Sequence, residues 1–237
     1  MEVMKVRWSD KYRRKYFERL HHKVIEDIIR SEYGGSILDI GAGEGEILKA
    51  VREKFDEIYA IEIDSELCSE LRKIADVVIC DDAFKVDIDR KFDVIVCMFF
   101  MCLFDREKRI EMLKKIYDWL KDDGIAYVCI TNSRNVSVKF AKALGIRKRY
   151  DAGKDFEEDI MRIGYKIVDK FGVGVLMPVS LRNDWRYVII PNFVCDIVNR
   201  IFDDRLTEYC YEIVYKIKKA RGGGVCEGNK SLACEHA

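Results

Sequence analysis

The peptide ILDIGAGEG occupies residues 37–45 and places three glycines directly after a short apolar run. Glycine lets the backbone turn tightly and lets a ligand approach without meeting a Cβ atom. After the glycines, residues 46–55 have the apolar spacing of a helix. The pattern therefore predicts a strand, a glycine-rich turn and a helix, an arrangement that often binds a nucleotide-like cofactor.

Carboxylates around this loop indicate which cofactor it would suit. Asp39 precedes the glycines, Glu44 lies between them, and Glu62 ends the next predicted strand, where it can accept hydrogen bonds from ribose hydroxyls. Dinucleotide sites have G-x-G-x-x-G and hold a pyrophosphate, which carboxylates in a G-x-G-x-G loop would repel. A ligand with an ammonium and a sulfonium fits better, so the pattern favours S-adenosylmethionine; a dinucleotide-dependent oxidoreductase is the alternative.

Apolar periodicity along the chain predicts alternating strands and helices, and hence a mainly parallel sheet covered on both faces. This places the protein in the α/β class, as a three-layer sandwich. The predicted strands are 36–40, 57–63, 77–80, 92–97, 125–130, 165–171 and 208–217, and the predicted helices include 11–30, one from Glu46, one capped by Asp64 or Ser65, one capped by Asp105, and one opened by Asp155 and ended by Gly164.

Several motifs resemble those of class I S-adenosylmethionine-dependent methyltransferases. The resemblance covers roughly residues 15 to 130, with the motifs in order and at the usual spacing. Residues 37–48 (ILDIGAGEGEIL) resemble motif I, residues 60–67 (AIEIDSEL) the second motif, residues 80–83 (CDDA) the third, residues 92–97 (FDVIVC) the fourth strand, and residues 120–124 (LKDDG) the turn before the fifth.

The resemblance implies a fold and a set of cofactor contacts. The sheet order would be 3-2-1-4-5-7-6, with an antiparallel seventh strand between the fifth and sixth. Glu62 would bind the ribose, Asp82 the adenine amino group, with Asp81 as its competitor, and Cys97 would line the methionine part. The full set of predicted cofactor-binding residues is Asp39, Gly41, Ala42, Gly43, Gly45, Glu62, Ile63, Asp82, Ala83 and Cys97.

Residues 1–220 are predicted to form one methyltransferase domain, in which residues 1–35 supply an N-terminal cap helix. Segments 131–154 and 172–206 interrupt the alternation, so both are candidate caps over the site. Residues 221–237 begin with a run of glycines, which predicts a flexible tail.

Composition narrows the classes of partner. Lys+Arg and Asp+Glu both number 42, which argues against a large nucleic-acid footprint. The longest uncharged apolar run, residues 94–104, is shorter than the ~20 residues of a membrane span. Nine cysteines without a CxxC pair predict a reducing, cytoplasmic location, with Cys80, Cys97 and Cys129 acting as small hydrophobes. No metal site is expected, because Cys226, Cys234 and His236 lack metal-site spacing.

The sequence does not identify a catalytic base. Residues 98–104 (MFFMCLF) hold neither the Asn-Pro-Pro-Tyr-like motif nor the Glu-His pair that some methyltransferases have after the fourth strand. His21 and His22 on the first helix could supply a base, but an exposed, solvated pair is the favoured interpretation.

The acceptor must be inferred from the two inserted segments. Residues 171–193 are unusually apolar, which fits either a pocket for an apolar small molecule or packing in the core and in a homodimer. The basic run Arg147–Arg149 could meet a phosphate or carboxylate, or stay solvated. The sequence thus predicts methyl transfer to a small molecule; the alternatives are an RNA or protein acceptor, or a non-catalytic module with the same pocket.

Overall fold

A computed structural model describes residues 11–145, 151–177 and 192–220, with the backbone alone for residues 11–17 and 192. The strands are β1 (Ser36–Ile40), β2 (Glu57–Glu62), β3 (Val77–Cys80), β4 (Phe92–Cys97), β5 (Leu120–Thr131), β6 (Tyr165–Val173) and β7 (Glu212–Lys219). The helices are α1 (Lys11–Arg30), α2 (Glu46–Val51), α3 (Ser65–Leu71), α4 (Arg106–Trp119), α5 (Val136–Ala143), α6 (Lys154–Ile163) and α7 (Asn192–Phe202). Short 3₁₀ turns occupy Arg52–Lys54, Met101–Leu103 and Thr207–Tyr209.

All seven strands belong to one sheet in the order β3-β2-β1-β4-β5-β7-β6, which confirms the predicted topology. Strands β1 to β5 pair in parallel, and β7 is antiparallel to both β5 and β6. Strand β1 lies between β2 and β4, so Asp39 is opposite Ala60 on one side and Val96 on the other. Asp39, the acidic residue just before the glycine loop, is therefore on the central strand of the parallel part of the sheet.

Helices cover both faces of the sheet, and each face has its own core. On one face, α4 and α6 contribute Leu113, Ile116 and Phe156 to a cluster with β4 and β5. On the other face, α1 contributes Leu20 and Val24 to a second cluster, with α2 and the other side of the strands. Burial of these side chains stabilises the layers by roughly 1.5–3 kcal/mol for each large apolar residue. The three-layer prediction is confirmed.

Three predicted local features are wrong. Strand β7 begins at Glu212 rather than at residue 208, because Thr207–Tyr209 form a 3₁₀ turn. Asp155 is inside α6 and is not its N-cap; Gly153 has that position, and the Asp155 carboxylate accepts a hydrogen bond from the Gly153 N–H. Residues 120–124 are not a separate turn but the first part of β5. The pairing of β5 with β4 shifts register there, between Phe92 and Val94 of β4.

The prediction that Cys80 is a small hydrophobe is also wrong, because Cys80 forms a disulfide with Cys68. Cys68 is on α3 and fully buried, whereas Cys80 is the exposed last residue of β3. The bond joins α3 to β3 across a 12-residue separation in sequence. Cys97 and Cys129 are free and buried, as predicted.

Within the described ranges, no helix is both long enough and apolar enough to cross a bilayer.

Candidate cofactor site

The predicted cofactor-binding residues meet at one edge of the sheet. Because β1, β2, β3 and β4 are parallel, their carboxyl ends lie on the same side. The glycine loop follows β1, Glu62 ends β2, Asp82 and Ala83 follow β3, and Cys97 ends β4. The structure therefore brings together residues that are far apart in sequence.

Glu62 connects the end of β2 to the glycine loop. One carboxylate oxygen accepts a hydrogen bond from the Gly43 N–H at 2.9 Å. The other accepts from the Ile63 and Asp64 N–H groups at 2.8 and 3.0 Å. Since an ionised carboxylate has about four acceptor positions, roughly one is left for a ligand hydroxyl.

Gly43 leaves open space beside the loop. Its φ of 55° lies in the left-handed region, and a Cβ atom built there would meet no atom within 4 Å. Gly41 is different, because a Cβ atom there would be 2.9 Å from the Phe100 ring. A ligand can therefore approach the backbone at Gly43. At Gly41, the absence of a Cβ atom instead leaves room for the Phe100 ring, which packs against the loop.

Asp39 is buried next to this loop, with only 4% of its surface exposed. Burial and, as the smaller cause, the negative charge of Glu62 together raise the pKa of its carboxyl to about 7. At neutral pH the carboxyl is therefore poised between its neutral and charged forms. A positively charged ligand would favour the charged form.

The turn after β3 distinguishes Asp82 from its competitor Asp81. The half-buried Asp82 carboxylate accepts a hydrogen bond from the Phe84 N–H at 3.0 Å, which fixes the backbone around Ala83. The exposed Asp81 carboxylate accepts only from the neighbouring Asp82 N–H among the hydrogen bonds of this turn. The Asp82 carboxylate is thus fixed by the turn, whereas the Asp81 carboxylate is exposed.

Two other predicted contacts have different environments. Cys97 is fully buried, and burial, with the charge of Asp39 next to it, raises the pKa of its thiol well above the usual value. The thiol therefore stays protonated and uncharged. The Ile63 side chain is 53% exposed, so it is accessible to a ligand over the loop.

Three aromatic rings pack against one another beyond the ends of β3 and β4, and two of them, Phe84 and Phe100, also pack on the core of the α4 face. The Phe84 ring centroid is 5.8 Å from that of Phe100 and 4.9 Å from that of Phe104. Phe100 and Phe104 are also 4.9 Å apart. The rings form an apolar wall next to Gly41.

His21 lies beside the start of α2 and is not the exposed residue that the sequence analysis favoured. Its Nδ1 atom is 2.8 Å from a carboxylate oxygen of Glu46, the first residue after the glycine loop. Its ring centroid is 5.1 Å from that of Phe99. His21 is 19% exposed at its side chain, whereas His22 is 72% exposed, so only His22 fits the predicted exposed pair.

Phe99, the ring partner of His21, has an unusual backbone. Its φ of 55° is positive, which is rare for a bulky residue and often accompanies a functional site. Hydropathy gives no sign of this geometry; the run of large apolar residues after β4 was the only available signal.

The two inserted segments, 131–154 and 172–206, are joined by hydrogen bonds. The Asn135 side-chain amide, at the N-terminus of α5, donates to the carbonyl oxygens of Gly174 and Val175 at 3.0 Å each. Val173 and Met177 are buried in the core on the α1 face. The described part of the apolar segment, up to residue 177, thus supports the packing interpretation; residues 178–191 and the basic run 147–149 lie outside the described residues.

A family model described as DREV methyltransferase matches residues 14–177, which is more than half of the chain. No curated protein matches the sequence.

Solved structures that align with this chain include S-adenosylmethionine-dependent methyltransferases. Magnesium protoporphyrin IX methyltransferase from Synechocystis PCC 6803, with bound SAH, aligns with a TM-score of 0.65 at 11% identity, covering 91% of this chain and 89% of that one. A SAM-dependent methyltransferase from Archaeoglobus fulgidus aligns with a TM-score of 0.59 at 17% identity, covering 88% and 98%. One from Clostridium acetobutylicum ATCC 824 gives 0.56 at 17%, covering 87% and 92%.

Proposed function

Because the chain belongs to the DREV methyltransferase family, we propose that it transfers the methyl group of S-adenosylmethionine to a small-molecule acceptor with an apolar part. The observation that carries the choice of donor is the open space beside Gly43, next to two carboxylates, Glu62 and Asp39. An uncharged site would give no preference for a cationic ligand, whereas this one attracts an ammonium and a sulfonium.

The residues of the site fit the parts of the donor in turn. Glu62 would accept from the ribose hydroxyls, with its bond to the Gly43 N–H giving way to the second hydroxyl. Asp82 would accept from the adenine amino group, and the Ala83 N–H would face the ring. The Asp39 carboxylate would attract the positively charged methionine part of the donor, because a buried carboxylate is stabilised by a nearby positive charge. The remaining predicted contacts are Gly41, Ala42, Gly43, Gly45, Ile63 and Cys97.

When bound, S-adenosylmethionine supplies an electrophilic methyl group on a sulfonium that departs as a neutral thioether. The protein therefore needs no acid for the leaving group, and its main task is to hold the acceptor atom in line with the methyl group. Such positioning can contribute several kcal/mol to the rate. The rigid ends of β1 and β4 and the fixed turn at Asp82 suit this task.

The aromatic wall of Phe84, Phe100 and Phe104 supports an acceptor with an apolar part. The balance of 42 basic and 42 acidic residues offers no general attraction to RNA. Segments 131–154 and 172–206, with the first helix, would cap the acceptor side of the site, within one domain spanning residues 1–220.

Two further properties are part of the proposal. We place the protein in the cytoplasm on its buried free cysteines, which are Cys97, Cys102, Cys129, Cys195 and Cys210. The Cys68–Cys80 disulfide is unusual for that compartment.

A homodimer would be formed through apolar surface, such as the exposed side chains of Phe193, Ile197 and Ile201 along α7.

The donor is tested by titration calorimetry with S-adenosylmethionine. We expect binding by the wild-type protein, and its absence would refute the proposed function.

The acceptor class is tested with methyl-labelled donor and a cell extract separated into small-molecule, RNA and protein fractions. We expect label in the small-molecule fraction, extractable into organic solvent. Label in acid-precipitable RNA or protein would contradict the acceptor class, and no transfer to any fraction would favour a non-catalytic module.

A further inference from the structure

The imidazole of His21 lies where three parts of the site converge. His21 itself is on α1, its hydrogen-bond partner Glu46 opens α2 immediately after the glycine loop, and its ring partner Phe99 is in the turn after β4. In a sheet of this topology, the loop after β1 and the turn after β4 flank the ligand crevice. His21 is therefore a titratable side chain beside the reactive end of the site.

The hydrogen bond to Glu46 determines which ring nitrogen carries the proton. An ionised carboxylate only accepts hydrogen bonds, so Nδ1 of His21 must be the donor in the 2.8 Å contact. In the neutral imidazole, Nε2 then has a free lone pair and is a proton acceptor. A carboxylate on Nδ1 also stabilises the imidazolium that forms when Nε2 takes up a proton.

The surroundings of His21 keep this imidazole neutral before reaction. Burial lowers its pKa, while the negative charges of Glu46 and Glu18 oppose the change and leave a net decrease. Phe99, on the third element packed against the ring, brings no charge. A neutral imidazole at physiological pH is the form that can accept a proton.

His22, the next residue of α1, provides a comparison for the environment of His21. Its side chain is 72% exposed, and its Nε2 atom pairs with Glu26 one turn along α1 at 3.0 Å. This is an ordinary surface pair. Neighbouring residues of the same type thus have opposite environments: His22 is exposed to solvent, whereas His21 is mostly buried against Glu46 and Phe99.

We propose that His21 is the proton acceptor of the methyl transfer and that Glu46 is its positioning residue; this rests on the proposed function. As the acceptor's nitrogen or oxygen bonds to the methyl carbon, the electron pair of the carbon–sulfur bond stays on sulfur. The proton on the acceptor atom moves to Nε2 of His21. The imidazolium is paired with the Glu46 carboxylate and later releases its proton to solvent.

The first test needs no acceptor, because it measures the pKa of His21 in the wild-type protein by NMR. The chain has only three histidines, His21, His22 and His236, so their imidazole signals can be resolved and assigned. S-adenosylmethionine carries a sulfonium charge that S-adenosylhomocysteine lacks. If His21 faces the methyl group, its pKa should be about one pH unit lower in the S-adenosylmethionine complex, by Coulomb repulsion. His22 should titrate identically in both complexes.

An equal pKa of His21 in the two complexes would overturn the proposal while leaving the proposed function intact. Failure of both ligands to bind would instead refute the proposed function. The two ideas therefore fail in distinguishable ways.

The second test uses His21→Gln, with His22→Gln as the matched control, in the labelled-donor assay. We expect His21→Gln to keep its circular dichroism spectrum and its donor affinity within about twofold, and to lose transfer by roughly 100-fold, the size of a typical general-base effect. Wild-type transfer rates in His21→Gln would overturn the proposal.

Glu46→Gln should lower the pKa of His21 further, since the variant loses the stabilising negative charge; an unchanged pKa would refute the positioning role.

Discussion

The carboxylate of Glu62 and the backbone N–H of Gly43 are joined by a hydrogen bond of 2.9 Å, which ties the end of β2 to the turn after β1. The predicted ribose-binding residue thus also shapes the loop that would hold the donor. Loop geometry and ligand recognition therefore depend on the same side chain.

Glu62→Ala should weaken S-adenosylmethionine binding at least about tenfold, a loss of roughly 1.4 kcal/mol. The substitution removes the acceptor for three backbone N–H groups as well as the ribose contact. Titration calorimetry measures the affinity. Glu57→Ala is the matched control, since Glu57 starts the same strand and pairs at the surface with Arg90; unchanged affinity in Glu62→Ala would contradict the ribose assignment.

Gly43→Ala should abolish most donor binding while the protein stays folded. The left-handed φ costs a residue with a Cβ atom about 1–2 kcal/mol, and the new methyl group would occupy the space that we assign to the donor. Gly145→Ala has a matched backbone strain, with φ of 68° and equally open surroundings. It should lower the melting temperature by a similar amount and leave affinity unchanged. Equal affinities in the two variants would refute the role of Gly43.

Asp39→Asn should stabilise the ligand-free protein at pH 8 and weaken donor binding. The folded-state pKa of Asp39 is raised from 3.8 to about 7, so the unfolded state loses its proton first as pH rises. Stability therefore falls between about pH 4 and pH 7, by an amount on the order of 4 kcal/mol. Unfolding in urea at pH 5 and pH 8 measures this dependence, which the variant should lack.

Asp93→Asn provides the opposite sign as a control. Burial acts to raise the pKa of Asp93, but hydrogen bonds from Lys121 and Ser36 outweigh it and leave the pKa lowered. Its stabilising effect is present above the unfolded pKa and is lost as pH falls. Asp93→Asn should therefore destabilise the protein at pH 8. Two variants with the same response would disprove the Asp39 argument.

Reduction of the Cys68–Cys80 disulfide should lower the free energy of unfolding by about 3 kcal/mol, because the bond closes a short loop in the unfolded chain. Melting curves with and without reductant measure the effect. Mass spectrometry after alkylation without reduction should find both cysteines unmodified. The Cys68→Ser, Cys80→Ser double variant should show no response to reductant; an equal response in this variant would point to another site of action.

The sequence was sufficient for the features that repeat locally. The alternation of strands and helices follows from apolar spacing, and the glycine loop has its own signature at residues 41–45. The sheet order came from the resemblance to methyltransferases, since spacing alone does not show that β7 lies between β5 and β6.

The missed features depend on contacts between distant residues. The start of β7 is a buried Glu212, whose carboxylate accepts from the Thr131 hydroxyl at 2.8 Å, and hydropathy does not predict a buried acid. His21 looked like a surface residue because its partners Glu46 and Phe99 come from other elements. The pairing of Cys68 with Cys80 likewise requires the packing of α3 against β3.

The position of β7 also has a consequence for how the protein is made. Strand β6 is at the sheet edge and pairs only with β7 among the described strands, although β7 follows it in sequence by almost forty residues. During synthesis on the ribosome, β6 must wait for Glu212–Lys219 to emerge before it can join the sheet. Nascent chains stalled before residue 212 should therefore expose β6 to proteases and chaperones, even when β1 to β5 are already assembled.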